Sequence, residues 1–245
     1  MVNDPGSSAV NEWLEPLQRL CATIREPVRE RLAAAASGAA HRDDVTRAVG
    51  QGVGDTTFAI DEVAERAVDT WLQAMGSTRP LSLLTEDAGW RHVGPGAAEG
   101  TCVPLPDFDH GGPRILLDPI DGTRNIMHDM RSAWVVVSFA GPGVGVPKFD
   151  ALELGIVSEI PDTRSTLARE LVGVRGAGAT VHEIDLATGE ATPPRTLAVD
   201  DDPRLDRGYF PFFAFHPALR PHVQAVCADV VRRVSAEHEV DASTI

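Results

Sequence analysis

Leu116-Leu117-Asp118-Pro119-Ile120-Asp121-Gly122-Thr123-Arg124-Asn125 leaves an apolar strand and enters a turn that holds two carboxylates, a proline, a glycine and a hydroxyl. Two acids separated by two residues, with a backbone carbonyl free to turn inward between them, can hold adjacent hard cations. Mg²⁺ takes oxygen ligands and keeps water for chemistry. Pro119 stiffens the turn, and Gly122 and Thr123 suit an oxyanion.

Around this turn the apolar spacing sets the fold class. Trp13, Leu17, Leu20, Ile24, Val28 and Leu32 recur at three- and four-residue steps and predict a long amphipathic helix, with Pro16 and Pro27 as points where it kinks or splits. After the turn Gly50 to Asp55, a second stripe of Ile60, Val63, Ala64, Ala67, Val68, Trp71, Leu72 and Met75 predicts another helix, stopped by Gly76. Strands are expected at 81–84, 115–117, 133–140 and 151–160. Two helices followed by a run of strands define an α+β layer with a largely antiparallel sheet rather than alternating βαβ units. The segment 89–114 is rich in glycine and proline and reads as an exposed loop near the turn. Its Asp107, Asp109 and His110 read as an acidic, solvated tip rather than as metal ligands. Asp200-Asp201-Asp202 reads as a turn, and Phe210, Phe212, Phe213 and Phe215 as core bulk in a second layer that begins near 195–199.

Composition narrows the function classes. With 245 residues the chain can bury a substantial core. Its net charge of -14 opposes non-specific nucleic-acid binding and is compatible with a site that gathers divalent cations. Cys21, Cys102 and Cys227 are too few and too far apart for a disulfide framework or a zinc cluster, which points to a reduced, cytoplasmic setting. No apolar run is long enough to cross a bilayer, and no signal-peptide pattern opens the chain, so no membrane partner is expected.

Two upstream acids extend the constellation. Asp61 lies at the start of the second helix, and Glu86 follows the short apolar strand in Leu83-Leu84-Thr85-Glu86-Asp87. Strand ends are where a rigid scaffold presents ligands.

Together these residues resemble the inositol monophosphatase-like family of magnesium-dependent, lithium-sensitive phosphatases. The family signature Asp-Pro-Ile/Leu-Asp-Gly-Thr/Ser is intact from Asp118 to Thr123, Glu86-Asp87 matches its acidic pair, and Asp61 matches its upstream aspartate, in the same order. Leu154-Gly155-Ile156-Val157 and Gly173-Val174-Arg175-Gly176-Ala177-Gly178-Ala179 look like its strand pair and glycine-rich turn, so the likeness runs over residues 50–185. The resemblance implies a layered αβαβα sandwich, with a metal-binding α+β domain over 1–185 that combines an antiparallel sheet with two helices. A partial α/β domain over 186–245 follows. It also implies that Glu86, Asp118 and the Ile120 carbonyl hold one Mg²⁺, while Asp118 and Asp121 hold a second. Thr123, hydrogen-bonded towards Glu86, would activate water; the Gly122 and Thr123 amides would grip phosphate; Asp61 would be a supporting catalytic acid. A homodimer is expected from the same resemblance.

The chain departs from the family in two places. A Trp-Asp motif of the second domain is missing, since tryptophan occurs only at 13, 71, 90 and 134, and Asp241 is a poor substitute. Ile126 replaces the aromatic residue usual after Asn125. The reading is therefore Mg²⁺-dependent hydrolysis of a small phosphate monoester, inositol phosphate or a related metabolite. Its alternatives are an impaired or truncated homologue that binds metal or a partner, and a nucleotide or sugar-bisphosphate substrate.

Overall fold

Apolar spacing builds the helical layer. Helix α1 (Pro5–Ala36) buries Val10, Trp13, Leu17, Leu20, Ile24, Val28 and Leu32 along one face. It runs through Pro16 and Pro27 without a break. A proline inside a helix costs about 3 kcal/mol, whereas each fully buried leucine or isoleucine contributes roughly 1.5–3 kcal/mol. Leu17, Leu20, Ile24 and Val28 are all completely buried, so packing outweighs the two interruptions. The Pro16 carbonyl also accepts a hydrogen bond from Trp71 Nε1 at 3.2 Å. Trp71 belongs to the second long helix.

The structure is a computed structural model that describes residues 5–51, 56–198 and 217–237. After α1 come a short helix α2 (Asp43–Thr46) and an antiparallel hairpin of β1 (Ala48–Gln51) and β2 (Thr56–Phe58), which leads into α3 (Ala59–Gly76). Gly76 ends α3 where the helix meets the sheet. A Cβ there would stand 2.5 Å from Cys102 Sγ and 2.7 Å from Val93 Cγ2, so only glycine fits without a shift.

The remaining strands are β3 (Leu81–Thr85), β4 (Gly89–Pro95), β5 (Cys102–Pro104), β6 (Arg114–Asp121), β7 (Ala133–Ala140), β8 (Leu154–Ile160), β9 (Leu167–Val174), β10 (Gly178–Asp185) and β11 (Arg195–Thr196). A four-residue helix α4 (Thr123–Ile126) follows β6, and a 3₁₀ turn at Phe149–Ala151 precedes β8. The nine strands form one sheet in the order β11-β10-β9-β8-β7-β6-β3-β4-β5. Leu81, Leu83, Ile115, Leu117, Val135, Val137 and Ile156 face α1 and α3 in the core, while Leu84, Leu116, Val136 and Ser138 on the opposite face are half-buried. Alternation along each strand produces that division.

The sheet is largely antiparallel, as expected, and is mixed by one pair, since β3 and β6 run parallel. Three other sequence expectations change. The expected loop 89–114 contains β4 and β5, and β8 starts at Leu154 because Phe149–Ala151 is a turn. Asp107 and Asp109 are exposed as expected, but His110 is tied down. The Gly112 amide donates to His110 Nδ1 at 2.9 Å, which leaves the His110 proton on Nε2, 2.7 Å from Ser82 Oγ. Ser82 can then donate to His92 Nδ1, also at 2.7 Å. Burial, then the neighbouring His92, holds the His110 imidazole below its ordinary pKa, consistent with this neutral chain.

The chain forms two compact units, Met1–Leu197 and Ala198–Ile245. The sheet continues past Asp185 to β11. In the second unit a 3₁₀ turn at Pro217–Leu219 leads into α5 (Arg220–Glu237), where Arg233 pairs with Asp229 at 2.8 Å. The turn at Asp200–Asp202, the cluster Phe210 to Phe215, Asp241 and the glycines at 52 and 54 lie outside the described residues. Among the described residues no helix is long and apolar enough to cross a membrane.

Candidate active site

The parallel pair decides where the acids stand. Ser82 to Thr85 on β3 align with Arg114 to Leu117 on β6. Glu86 follows the end of β3 and Asp118 follows Leu117 within β6, so the two residues come next at the same level of neighbouring stretches of backbone. The carboxyl ends of parallel strands are a recurrent location for ligand sites.

A bulge then aligns the two aspartates of the turn. In an unbroken strand, residues three apart point to opposite faces. Here Asp118 pairs with Val136 and Asp121 with Trp134, so three steps on β6 match two on β7. The extra residue falls at Pro119-Ile120, where proline has no N–H to give the ladder. Asp118 and Asp121 thereby share the face of Val136 and Trp134, opposite the helices.

Gly122 follows at φ +101°, in the left-handed region that favours glycine, and turns the chain into α4. The first residue of α4 is Thr123. Its hydroxyl lies 3.0 Å from Asp61 Oδ1 and 3.0 Å from the Ile120 carbonyl. Asp61, in the first turn of α3, accepts the Phe58 amide on its other oxygen at 2.8 Å. The expected link from Thr123 to Glu86 is therefore corrected: the hydroxyl meets Asp61, because Asp61 stands over the start of α4 while Glu86 is an exposed strand-end residue. Next to Glu86, Asp87 accepts a hydrogen bond from Thr57 Oγ1 at 3.2 Å.

Charge is concentrated where the strands end. Burial pushes the Asp118 carboxyl up to about 6, and the charges of Asp121, Glu86 and Asp61 push in the same direction. A hydrogen bond from the Ile120 amide to Asp118 Oδ1, at 3.1 Å, pulls the other way. These three acids all act on the Asp118 carboxylate, so the four form one electrostatic site. The available donors, carboxylates and the Ile120 carbonyl, are the hard oxygens that Mg²⁺ takes. Among the described residues, no three carboxylate, imidazole or thiol side chains stand close enough to hold an ion by themselves. Mg²⁺ usually takes one or two carboxylates and fills its octahedron with water and substrate phosphate, so the donor set fits it.

Of the sequence-selected residues, Asp61, Thr123 and Ile120 are joined by hydrogen bonds, and Asp118, Asp121 and Glu86 by charge. The reading along the sequence missed Glu65 and Asp69, which continue from Asp61 at four-residue spacing on α3, and Arg91 on β4 that pairs with both. The i, i+4, i+8 stripe of acids was the available signal.

No protein-family model and no curated protein matches the chain. Among solved structures it is similar to fructose-1,6-bisphosphatase from Leishmania major in holo form, at 14% identity and a TM-score of 0.49, covering 73% of this chain and 51% of that one. It is also similar to a hypothetical protein from Pyrococcus horikoshii described as having similarities to inositol-1 monophosphatase, at 14% identity and a TM-score of 0.42, covering 76% and 56%. A third match is the extragenic suppressor protein suhB from Bartonella henselae, at 15% identity and a TM-score of 0.42, covering 66% and 50%. The chain spans about half the length of each of these structures.

Proposed function

We propose that this chain is a Mg²⁺-dependent phosphomonoesterase, or the metal-binding half of one, acting on a small phosphorylated metabolite. The observation that carries the reading is the Asp61–Thr123 hydrogen bond set beside the acidic turn Asp118 to Asp121. Asp118, Asp121, Glu86 and the Ile120 carbonyl would hold Mg²⁺, which when bound supplies charge neutralisation for a phosphoryl group. Thr123 has one proton and two acceptors, and the anionic Asp61 is the stronger of them. With its proton directed to Asp61, the Thr123 oxygen offers a lone pair to water. As the water attacks phosphorus, its proton passes to Thr123 Oγ1 and the threonine proton passes to Asp61 Oδ1. Phosphorus gains the water oxygen and loses the alkoxide, which takes a proton from solvent. The amides of Gly122 and Thr123 are the groups available to orient phosphate oxygens.

The test is phosphate release from a panel of inositol, sugar and nucleotide monoesters, with and without Mg²⁺. Wild type should release phosphate only with Mg²⁺, and Asp118→Asn should fall to background. Equal rates for the two proteins would remove the proposal. A second reading, a relative that binds metal without turnover, is favoured by the absence from this sequence of the Trp-Asp motif that the resemblance expects. It predicts Mg²⁺ binding without phosphate release.

A further inference from the structure

Arg91 lies on β4 opposite Leu83 of β3, and like Leu83 it points to the helical layer. Its guanidinium reaches both elements that present site acids. Nη1 donates to Asp69 at 2.5 Å and Nη2 to Glu65 Oε2 at 3.4 Å, both on α3. Nη2 also lies 3.5 Å from Thr85 Oγ1, at the last position of β3. Thr85 is buried and accepts the Ala88 amide at 3.3 Å. Arg91 and Glu65 each keep only 21% of their side-chain surface, so the pair is largely withdrawn from water.

Asp61, Glu65 and Asp69 form one stripe along α3, and each engages the sheet region. Asp61 meets Thr123 after β6, and Glu65 and Asp69 both meet Arg91 on β4. Glu65 is one helical turn from Asp61, and Thr85 is the residue before Glu86. Through Arg91 Nη2, which reaches both Glu65 and Thr85, the helix position one turn from Asp61 is linked to the residue before Glu86. Arginine suits this position because its planar fork can serve two carboxylates and a hydroxyl at once, which a lysine ammonium does less well.

We infer that Arg91 is a positioning residue for the acidic site, clamping the helix that carries Asp61 to the strand end that carries Glu86. The inference rests on reading Asp61 and Glu86 as site residues. Neither Arg91 nor Glu65 touches the reacting groups. Their contribution is the geometry of the acids, so loss of the clamp should weaken cation binding more than it alters chemistry at saturating cation. Groups that orient metal ligands from behind typically change metal affinity by about 10–100-fold.

The experiment is calorimetric titration of the full chain with Mg²⁺ alone, well below each variant's melting temperature. Arg91→Met should bind Mg²⁺ about 10–100-fold more weakly than wild type. Arg91→Lys should recover part of the loss, and Arg169→Met, which breaks an exposed pair with Glu183, should bind as wild type does. Because Arg91→Met strands a largely buried glutamate, the double variant Arg91→Met/Glu65→Met supplies a form without that unpaired charge, and it too should bind weakly. In phosphate release, saturating Mg²⁺ should restore the Arg91→Met rate. Wild-type affinity in a folded Arg91→Met or in the double variant overturns the inference and leaves the proposed function standing. Absence of Mg²⁺ binding by wild type overturns both.

Discussion

Asp118→Asn should stabilise the cation-free protein at neutral pH while abolishing its response to Mg²⁺. The carboxyl shifts from an ordinary 3.8 to about 6 in the folded protein. A raised acid pKa means that the folded state binds the proton more tightly than the unfolded chain. Stability from this group is therefore present at low pH and lost as pH rises from about 4 to about 6. Two pKa units correspond to about 3 kcal/mol, and partial exposure of Asp118 reduces that to about 1–2 kcal/mol. Asparagine removes the charge yet can still accept the Ile120 amide, now bonded at 3.1 Å. Urea unfolding in chelator at pH 7.5 should place Asp118→Asn about 1–2 kcal/mol above wild type, with the gap narrowing at pH 4.5. Millimolar Mg²⁺ should raise wild type and leave the variant unmoved. If Asp118→Asn is less stable than wild type in chelator at pH 7.5, or if Mg²⁺ stabilises both equally, the reasoning about charge crowding at this turn is wrong.

Thr123→Val keeps the shape of the α4 start but removes the proton route to Asp61, so phosphate release should drop roughly 100-fold or more, with melting temperature shifted by only a few degrees. Gly122→Ala must hold φ near +101°, which costs roughly 1–2 kcal/mol for an L side chain; chemical denaturation reads the loss directly. Phe139→Ala empties a completely buried position that packs 5.7 Å from the Trp13 ring, and should cost about 3–5 kcal/mol by the same measurement.

Helices and central strands were legible because their apolar periods are undisturbed. β7 runs over the expected residues Ala133 to Ala140, and the stripe from Ile60 to Leu72 is the buried face of α3. β4 was hidden for a physical reason. Its helix-facing position 91 carries an arginine, compensated by Glu65 and Asp69, so the apolar alternation that marks a strand is absent. The parallel pairing of β3 with β6 was equally hidden, since strand direction depends on where β4 and β5 lie rather than on any property of Leu81 to Thr85. Within the site, residue types carried the chemistry: the acids and the hydroxyl were recognisable, and the Asp61–Thr123 partnership was not. That partnership spans 62 positions and depends on how α3 docks against the end of β6.

The one-residue bulge at Pro119-Ile120 makes the turn sensitive to length in a way that it is not to identity. Exchanging either residue for another leaves the parity of β6 unchanged. Deleting one would leave Asp118 and Asp121 two apart and on one face of a regular strand, but would remove the bulge and with it the backbone path that sets the Ile120 carbonyl 3.0 Å from Thr123 Oγ1. In a collection of variants, substitutions in this turn should produce graded losses of Mg²⁺ binding, and a single-codon deletion should produce an abrupt one.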